Sequence, residues 1–297
     1  MQNLLITGAA KPNSELLSEL ENAGWTVTIH QQETVPVLNP EKYHCVICNG
    51  LFLYNDISKF ENLHTIQLTS AGLDRVPLDY ISQNNIKLFN ARGVYSIPMA
   101  EWVVGVLLNH YKQINRFVEQ QANHEWIKIR DIQEIHGKRV AIIGAGNIGS
   151  EVAKRLQVFG TTVIGYDVNP YENPYFNKIE IIQKFKADGY DIVILTAPHT
   201  EQSHHFINEE RLKTFKKDSL LINMSRGGLI NEQDLIHVLS NRIDITAILD
   251  VFEQEPLPID SKMWNMPNIK IFPHNSFVGK NNENRLHEVI LKNLSEI

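Results

Sequence analysis

Residues 139–167 read RVAIIGAGNIGSEVAKRLQVFGTTVIGYD, and this stretch decides the fold. RVAII has the Val/Ile-rich composition of a buried strand. It runs into Gly144-Ala145-Gly146-Asn147-Ile148-Gly149, a G-x-G-x-x-G loop, then into the helical pattern SEVAKRLQVFG. A second strand pattern, TTVIGYD, ends in Asp167, 18 residues beyond Gly149. A lone glycine motif is weak, but strand, loop, helix and acid-ended strand in this order specify a dinucleotide-binding βαβ unit. Gly144 allows the tight turn, Gly146 lets a pyrophosphate approach the backbone, and Gly149 lets helix and strand pack closely. The helix N-terminus offers N–H groups and positive dipole to the pyrophosphate. Asp167, otherwise a turn residue, would accept hydrogen bonds from the adenosine ribose and repel a 2′-phosphate. Val168, Asn169 and Pro170 supply no cation to hold such a phosphate, so NAD is expected over NADP.

The same alternation extends both ways. DIVILTAP, LLINMS, ITAILD and IKIFPH continue the strand series, and the backbone of Thr196-Ala197-Pro198 is expected beside the cofactor. Upstream, NLLITG, WTVTIH, HCVICN, HTIQLT and IKLFNA read as strands, SELLSELENAG as a helix. Two α/β units with parallel sheets are therefore expected. From Pro98, PMAEWVVGVLLNHYKQINRFVEQQANHEW reads as one long helix between them, and NNENRLHEVILKNLSEI as a terminal helix.

The 297 residues exceed the usual single-domain size, and 43% hydrophobic content suffices for two cores. A net charge of −6 and the absence of a basic stripe argue against nucleic acid. No apolar stretch approaches the ~18 residues of a membrane span. With no signal-like N-terminus, a cytoplasmic protein is expected. Cys45 and Cys48 form a C-x-x-C within a strand pattern, where side chains three apart diverge, so buried thiols are expected rather than a redox or zinc pair. His199, His204 and His205 lack a completing ligand at regular spacing, and no metal is expected; a solvent-facing loop is the simpler reading.

Three strand ends carry chemistry. LLINMS runs into Arg226, TAIL into Asp250 with Glu255 beyond it, and IKIFP into His274. Ligands of open α/β sheets sit outside the carboxyl ends of the strands. Oxidising a secondary alcohol needs a base for the hydroxyl proton, and the ordinary pKa of His, about 6.5, suits it. A carboxylate can orient the imidazole and stabilise its cation, and an Arg fork can grip a carboxylate substrate. Singly, each residue has a bland reading: a structural His, solvated acids at Glu253 or Glu255, an Arg bracing the Gly227-Gly228 turn. Their convergence on adjacent strand ends favours a redox site.

The chain resembles the D-isomer-specific 2-hydroxyacid dehydrogenases. The resemblance covers nearly its whole length and rests on residues 136–167, LLINMSRGGLINEQDL, AILDVFEQEPLP, NIKIFPH, LTSAGLDRVP and MAEWVV. It implies a flavodoxin-like substrate domain (1–97 plus 276–297) interrupted by a Rossmann-type NAD domain (98–275), and a homodimer formed through the NAD domains. It also implies that Arg226 binds the substrate carboxylate and carbonyl, that His274 is the base and Glu255 its partner, and that Asp250 holds the nicotinamide carboxamide. Asn49-Gly50 and Ser70-Ala71-Gly72 would offer backbone N–H groups to the substrate. Two departures stand out: Asn275-Ser276-Phe277 after the base, and an end at Ile297 that falls short of the family's usual return to the first domain. The expected activity is interconversion of a small D-2-hydroxy acid and its 2-keto acid, of the glyoxylate or hydroxypyruvate type. A non-catalytic NAD-sensing scaffold is the rival; formate oxidation, whose enzymes pair the base with Gln, is disfavoured by Glu255.

Overall fold

Two runs of βα alternation give two parallel sheets. The computed structural model describes residues 2–297, and the chain divides into two compact units, Met1–Tyr95 with Gly279–Ile297, and Ser96–Val278.

The first unit holds β1 (Gln2–Thr7), β2 (Trp25–His30), β3 (Cys45–Cys48), β4 (Thr65–Leu68) and β5 (Lys87–Phe89). All pair in parallel, in the order β2-β1-β3-β4-β5. The order reverses between β1 and β3, which makes their carboxyl ends the switch point of the sheet. β3 and β4 are buried along their whole length; β3 is an unbroken apolar run, whereas β4 buries Thr65 and Gln67 as well. Cys45 and Cys48 pack into different core clusters, as strand geometry requires of residues three apart. Both are free thiols, and burial pushes Cys45 up to about 12 and Cys48 well above its ordinary range. Neither can serve as a thiolate near neutrality.

The helix Asn282–Leu294 also belongs to this unit. Its Leu286, Ile290 and Leu294 pack with Leu4, Ile6, Leu16 and Leu20, and Nε2 of its His287 lies 3.0 Å from the Ala10 carbonyl. The chain thus returns to the first unit.

The second unit holds β6 (Arg139–Ile143), β7 (Thr162–Asp167), β8 (Lys178–Ile181), β9 (Ile192–Leu195), β10 (Leu220–Asn223), β11 (Thr246–Leu249) and β12 (Ile269–Ile271). The order is β12-β11-β10-β9-β6-β7-β8, all parallel, with the switch point between β6 and β9. β8 is an addition to the expected strands. As a four-residue edge strand with no fully buried position, it shows no apolar run. The single long helix is also corrected: Ser96–Lys112 and Ile114–Ala122 are separate, with Gln113 left-handed at φ 52° between them. Among the described residues, no helix is long and apolar enough to cross a membrane.

Candidate active site

Every functional side chain of the second unit leaves its sheet at the carboxyl edge. At the switch point, Gly144 (φ 99°) donates its N–H to the Tyr166 carbonyl at 2.7 Å. A Cβ on Gly144 would stand 2.6 Å from the Ala197 nitrogen, and one on Gly149 would stand 2.2 Å from the Gly144 carbonyl oxygen. These two glycines answer to close packing of the fold itself. Gly146 differs: no heavy atom lies within 4 Å of the place its Cβ would take. It caps the helix Asn147–Gln157, so the open space lies where N-terminal amides and positive dipole converge. Asn147 is exposed and Ile148 half-buried. The cradle fits a dinucleotide pyrophosphate.

Around it, the Thr196 hydroxyl donates to the Gly144 carbonyl at 2.6 Å, tying the Thr196-Ala197-Pro198 segment to the loop. Asp167 ends β7 and accepts the Ala145 N–H on Oδ2 at 2.8 Å and the Asn169 N–H on Oδ1 at 3.2 Å. Each oxygen retains a lone pair for a ribose hydroxyl. Tyr171, which no sequence motif singled out, donates its hydroxyl to the Ala145 carbonyl at 2.5 Å. Its only sequence signal is its place four residues beyond Asp167.

β10, β11 and β12 are successive neighbours, so Arg226, the Asp250–Glu255 segment and His274 emerge side by side. His274 Nδ1 lies 2.6 Å from Glu255 Oε2, while Glu255 Oε1 accepts the Phe252 N–H at 3.0 Å. Since a carboxylate only accepts, Nδ1 carries the proton in this bond and Nε2 is left for proton exchange. Both side chains are about one-third exposed, at 35%. Glu253, the other candidate acid, pairs elsewhere: its Oε1 is 2.6 Å from His205 Nε2. The structure therefore separates Glu255 from Glu253 as the partner of His274.

Arg226 is half-buried and donates through Nη1 to the Ser225 carbonyl at 2.8 Å. Asn223 shapes its turn, donating to the Arg226 carbonyl at 2.9 Å and accepting from the Ser225 hydroxyl at 3.1 Å. A Cβ on the next residue, Gly227, would lie 1.9 Å from the Phe252 carbonyl carbon. Only glycine lets the arginine turn lie against the segment that carries Glu255.

Asp250 is fully buried, and its two carboxylate oxygens accept the Asn275 and Ser276 N–H groups, each at 2.8 Å. The enclosed carboxylate shapes the turn after His274. His274 itself is left-handed, at φ 50°. Phe277 meets the His274 ring edge-on at 5.6 Å between centroids. The Ser276 hydroxyl, buried beside them, has no hydrogen-bond partner among the described residues.

The three loop histidines form a network. His199 Nε2 is 3.0 Å from His204 Nδ1, and the His204 and His205 rings stack at 3.7 Å. Glu232 closes it by accepting the Glu253 N–H at 2.7 Å, and burial, with the charges of Glu253 and Glu255, raises its carboxyl above the usual range. Among the described residues, no group of three or more His, Cys, Asp or Glu could hold a metal ion.

The loops expected to meet the substrate belong to the first unit. The Asn49 and Gly50 amides donate to the Glu33 carboxylate, at 2.6 Å and 2.7 Å. No hydrogen bond among the described residues uses the Ala71 or Gly72 amide, although the Asn90 side chain holds the Ala71 carbonyl at 2.9 Å and the Ser70 hydroxyl the Gly72 carbonyl at 3.0 Å. Glu33 escapes sequence reasoning because it lies in a loop without periodicity, 16 residues from Asn49.

A doubly wound sheet with a glycine cradle at its switch point and a His–carboxylate pair on the same edge defines an NAD-linked oxidoreductase. More narrowly, the chain belongs to the D-isomer specific 2-hydroxyacid dehydrogenase family, whose NAD-binding domain matches residues 104–276. It is 31% identical over 243 residues to a glyoxylate/hydroxypyruvate reductase of Arabidopsis thaliana, covering 80% of this chain and 74% of that protein. It is 31% identical over 271 residues to a hydroxypyruvate reductase of Thermotoga maritima, covering 89% and 87%. A solved structure of a family protein from Aeromonas salmonicida superposes with a TM-score of 0.83 at 28% identity, covering 99% of this chain and 95% of that one.

Replacing Gly146 by Ala separates ligand space from packing. Gly146→Ala should leave the thermal midpoint within a few degrees of wild type yet weaken NADH binding at least roughly ten-fold, because the methyl group fills only the cradle. Calorimetric titration with NADH checks it; unchanged affinity would contradict the assignment of the cradle.

Proposed function

We propose that this protein reduces a small 2-keto acid to the D-2-hydroxy acid with NADH, His274 acting as the proton donor. The observation that carries this reading is the 2.6 Å contact between His274 Nδ1 and Glu255 Oε2, which leaves Nε2 as the exchangeable position. When bound, NADH supplies the hydride. His274, protonated on both nitrogens, gives the Nε2 proton to the carbonyl oxygen as the carbonyl carbon is reduced. Glu255 holds the ring through Nδ1 and so turns Nε2 toward proton exchange. Arg226 fixes the substrate carboxylate and carbonyl by its planar fork.

Glyoxylate and hydroxypyruvate are the proposed substrates. The 31% identical relatives bear reductase names for these acids. Arg226, Glu255 and His274 are all present, and the last two are paired as reduction requires, which favours an enzyme over an NAD-sensing scaffold. Asp167, with no cation in Val168-Asn169-Pro170, supports NADH over NADPH. A homodimer through the NAD domain is supported by exposed Ile114, Phe117, Val118, Trp126 and Ile127, an apolar group of the second unit. Two free, buried thiols suit a reducing cytoplasm.

The experiment is a panel of 2-keto acids monitored by loss of NADH absorbance, with glyoxylate and hydroxypyruvate expected to lead. His274→Ala should bind NADH nearly as wild type but reduce these acids about 10²–10⁴-fold more slowly; near-wild-type turnover in that variant would remove His274 from the mechanism. NADPH should support a lower kcat/KM than NADH, and Asp167→Ser with Asn169→Arg should narrow or reverse the difference. Equal efficiency with both cofactors in the wild type would overturn the role of Asp167.

A further inference from the structure

The switch point of the first unit's sheet lies between the carboxyl ends of β1 and β3. Open α/β sheets bind ligands in such a crevice. Here a side chain of the protein itself fills it. Glu33 Oε1 accepts the Thr7 hydroxyl from the end of β1 at 2.7 Å and the Asn49 N–H from the end of β3 at 2.6 Å. Glu33 Oε2 accepts the Gly50 N–H at 2.7 Å. Three donors thus converge on one carboxylate. Thr7 is fully buried, and the Asn55 side chain holds the Glu33 carbonyl at 3.0 Å, which fixes the segment.

The neighbouring loop is built differently. β4 lies beside β3, and the Thr69 N–H donates to the Cys48 carbonyl at 2.8 Å, so Ser70-Ala71-Gly72 leave the sheet next to Asn49-Gly50. The amides of Ala71 and Gly72 take part in no hydrogen bond among the described residues. An acid held by them would have the Glu33 carboxylate one strand spacing away, roughly 5 Å. Arg75 places its Cδ 3.7 Å from where a Gly50 Cβ would stand, and it forms no ion pair with Glu33 among the described residues.

We infer that Glu33 is a specificity-determining residue. Its carboxylate occupies the switch-point donors and selects monoanionic acids with an uncharged tail, disfavouring dicarboxylates and phosphorylated acids. This rests on the reading that the protein binds 2-hydroxy and 2-keto acids, and it names which of them.

D-lactate and D-malate differ by one carboxylate and test it directly. Each is titrated calorimetrically into the NADH complex, in which neither can react, for wild type, Glu33→Gln and Glu33→Ala. Wild type should prefer D-lactate. Removing one negative charge at this half-screened edge should improve D-malate relative to D-lactate by on the order of ten-fold in both variants. A purely structural Glu33 would weaken both acids alike and leave their ratio unchanged, which would overturn the inference. A changed ratio without keto-acid turnover in the wild type would uphold Glu33 and refute the proposed activity instead.

Discussion

The site depends on one buried charge. Asp250 follows β11, which lies between β10 and β12, and is wholly enclosed. A carboxylate out of water must be matched by hydrogen bonds or it destabilises the fold by several kcal/mol. The match comes from the successive amides of Asn275 and Ser276, at 2.8 Å each. Presenting both to one carboxylate turns the chain at His274, which adopts φ 50°. A left-handed non-glycine residue costs about 1–3 kcal/mol. Two hydrogen bonds to a charged acceptor contribute roughly 1.5–3 kcal/mol each, enough to offset the strain. The His274 ring is therefore aimed by the buried carboxylate rather than by its own backbone preference.

That turn positions the other groups in sequence. His274 meets Glu255, and Glu255 is steadied by the Phe252 amide. The Phe252–Glu253 backbone is the surface against which Gly227 packs, which sets where Arg226 begins. On the far side, Glu253 is held by His205 and Glu232, and a Cβ on Gly228 would stand 2.7 Å from the His199 ring. The histidines, solvent-facing as expected, also brace both the arginine turn and the acid-bearing segment.

Much of this was legible in the sequence, for a physical reason. Parallel strands buried on both faces are written as apolar runs, so β3, β6, β9 and β10 stand out, and the residues just beyond each run lie at the functional edge. The chemistry of an oriented imidazole asks for a carboxylate near His274, and the family resemblance is what points to Glu255 rather than Glu253. The features that stayed hidden have no local signature. β8 is a half-buried edge strand. Gln113 is no helix breaker by type, so nothing marked the left-handed residue that divides the long helix. The Asp250 clamp and the Glu33 plug join residues 25 and 16 positions apart through backbone amides, which carry no residue identity at all.

The most direct test is the imidazole proton spectrum of His274, assigned by its absence in His274→Ala. The Nδ1–H held against Glu255 should give a far-downfield resonance in the wild type. In Asp250→Ser, folded by circular dichroism, the turn loses its anchor and that resonance should vanish or move strongly upfield. An unchanged resonance in Asp250→Ser would show that the buried carboxylate does not aim the base.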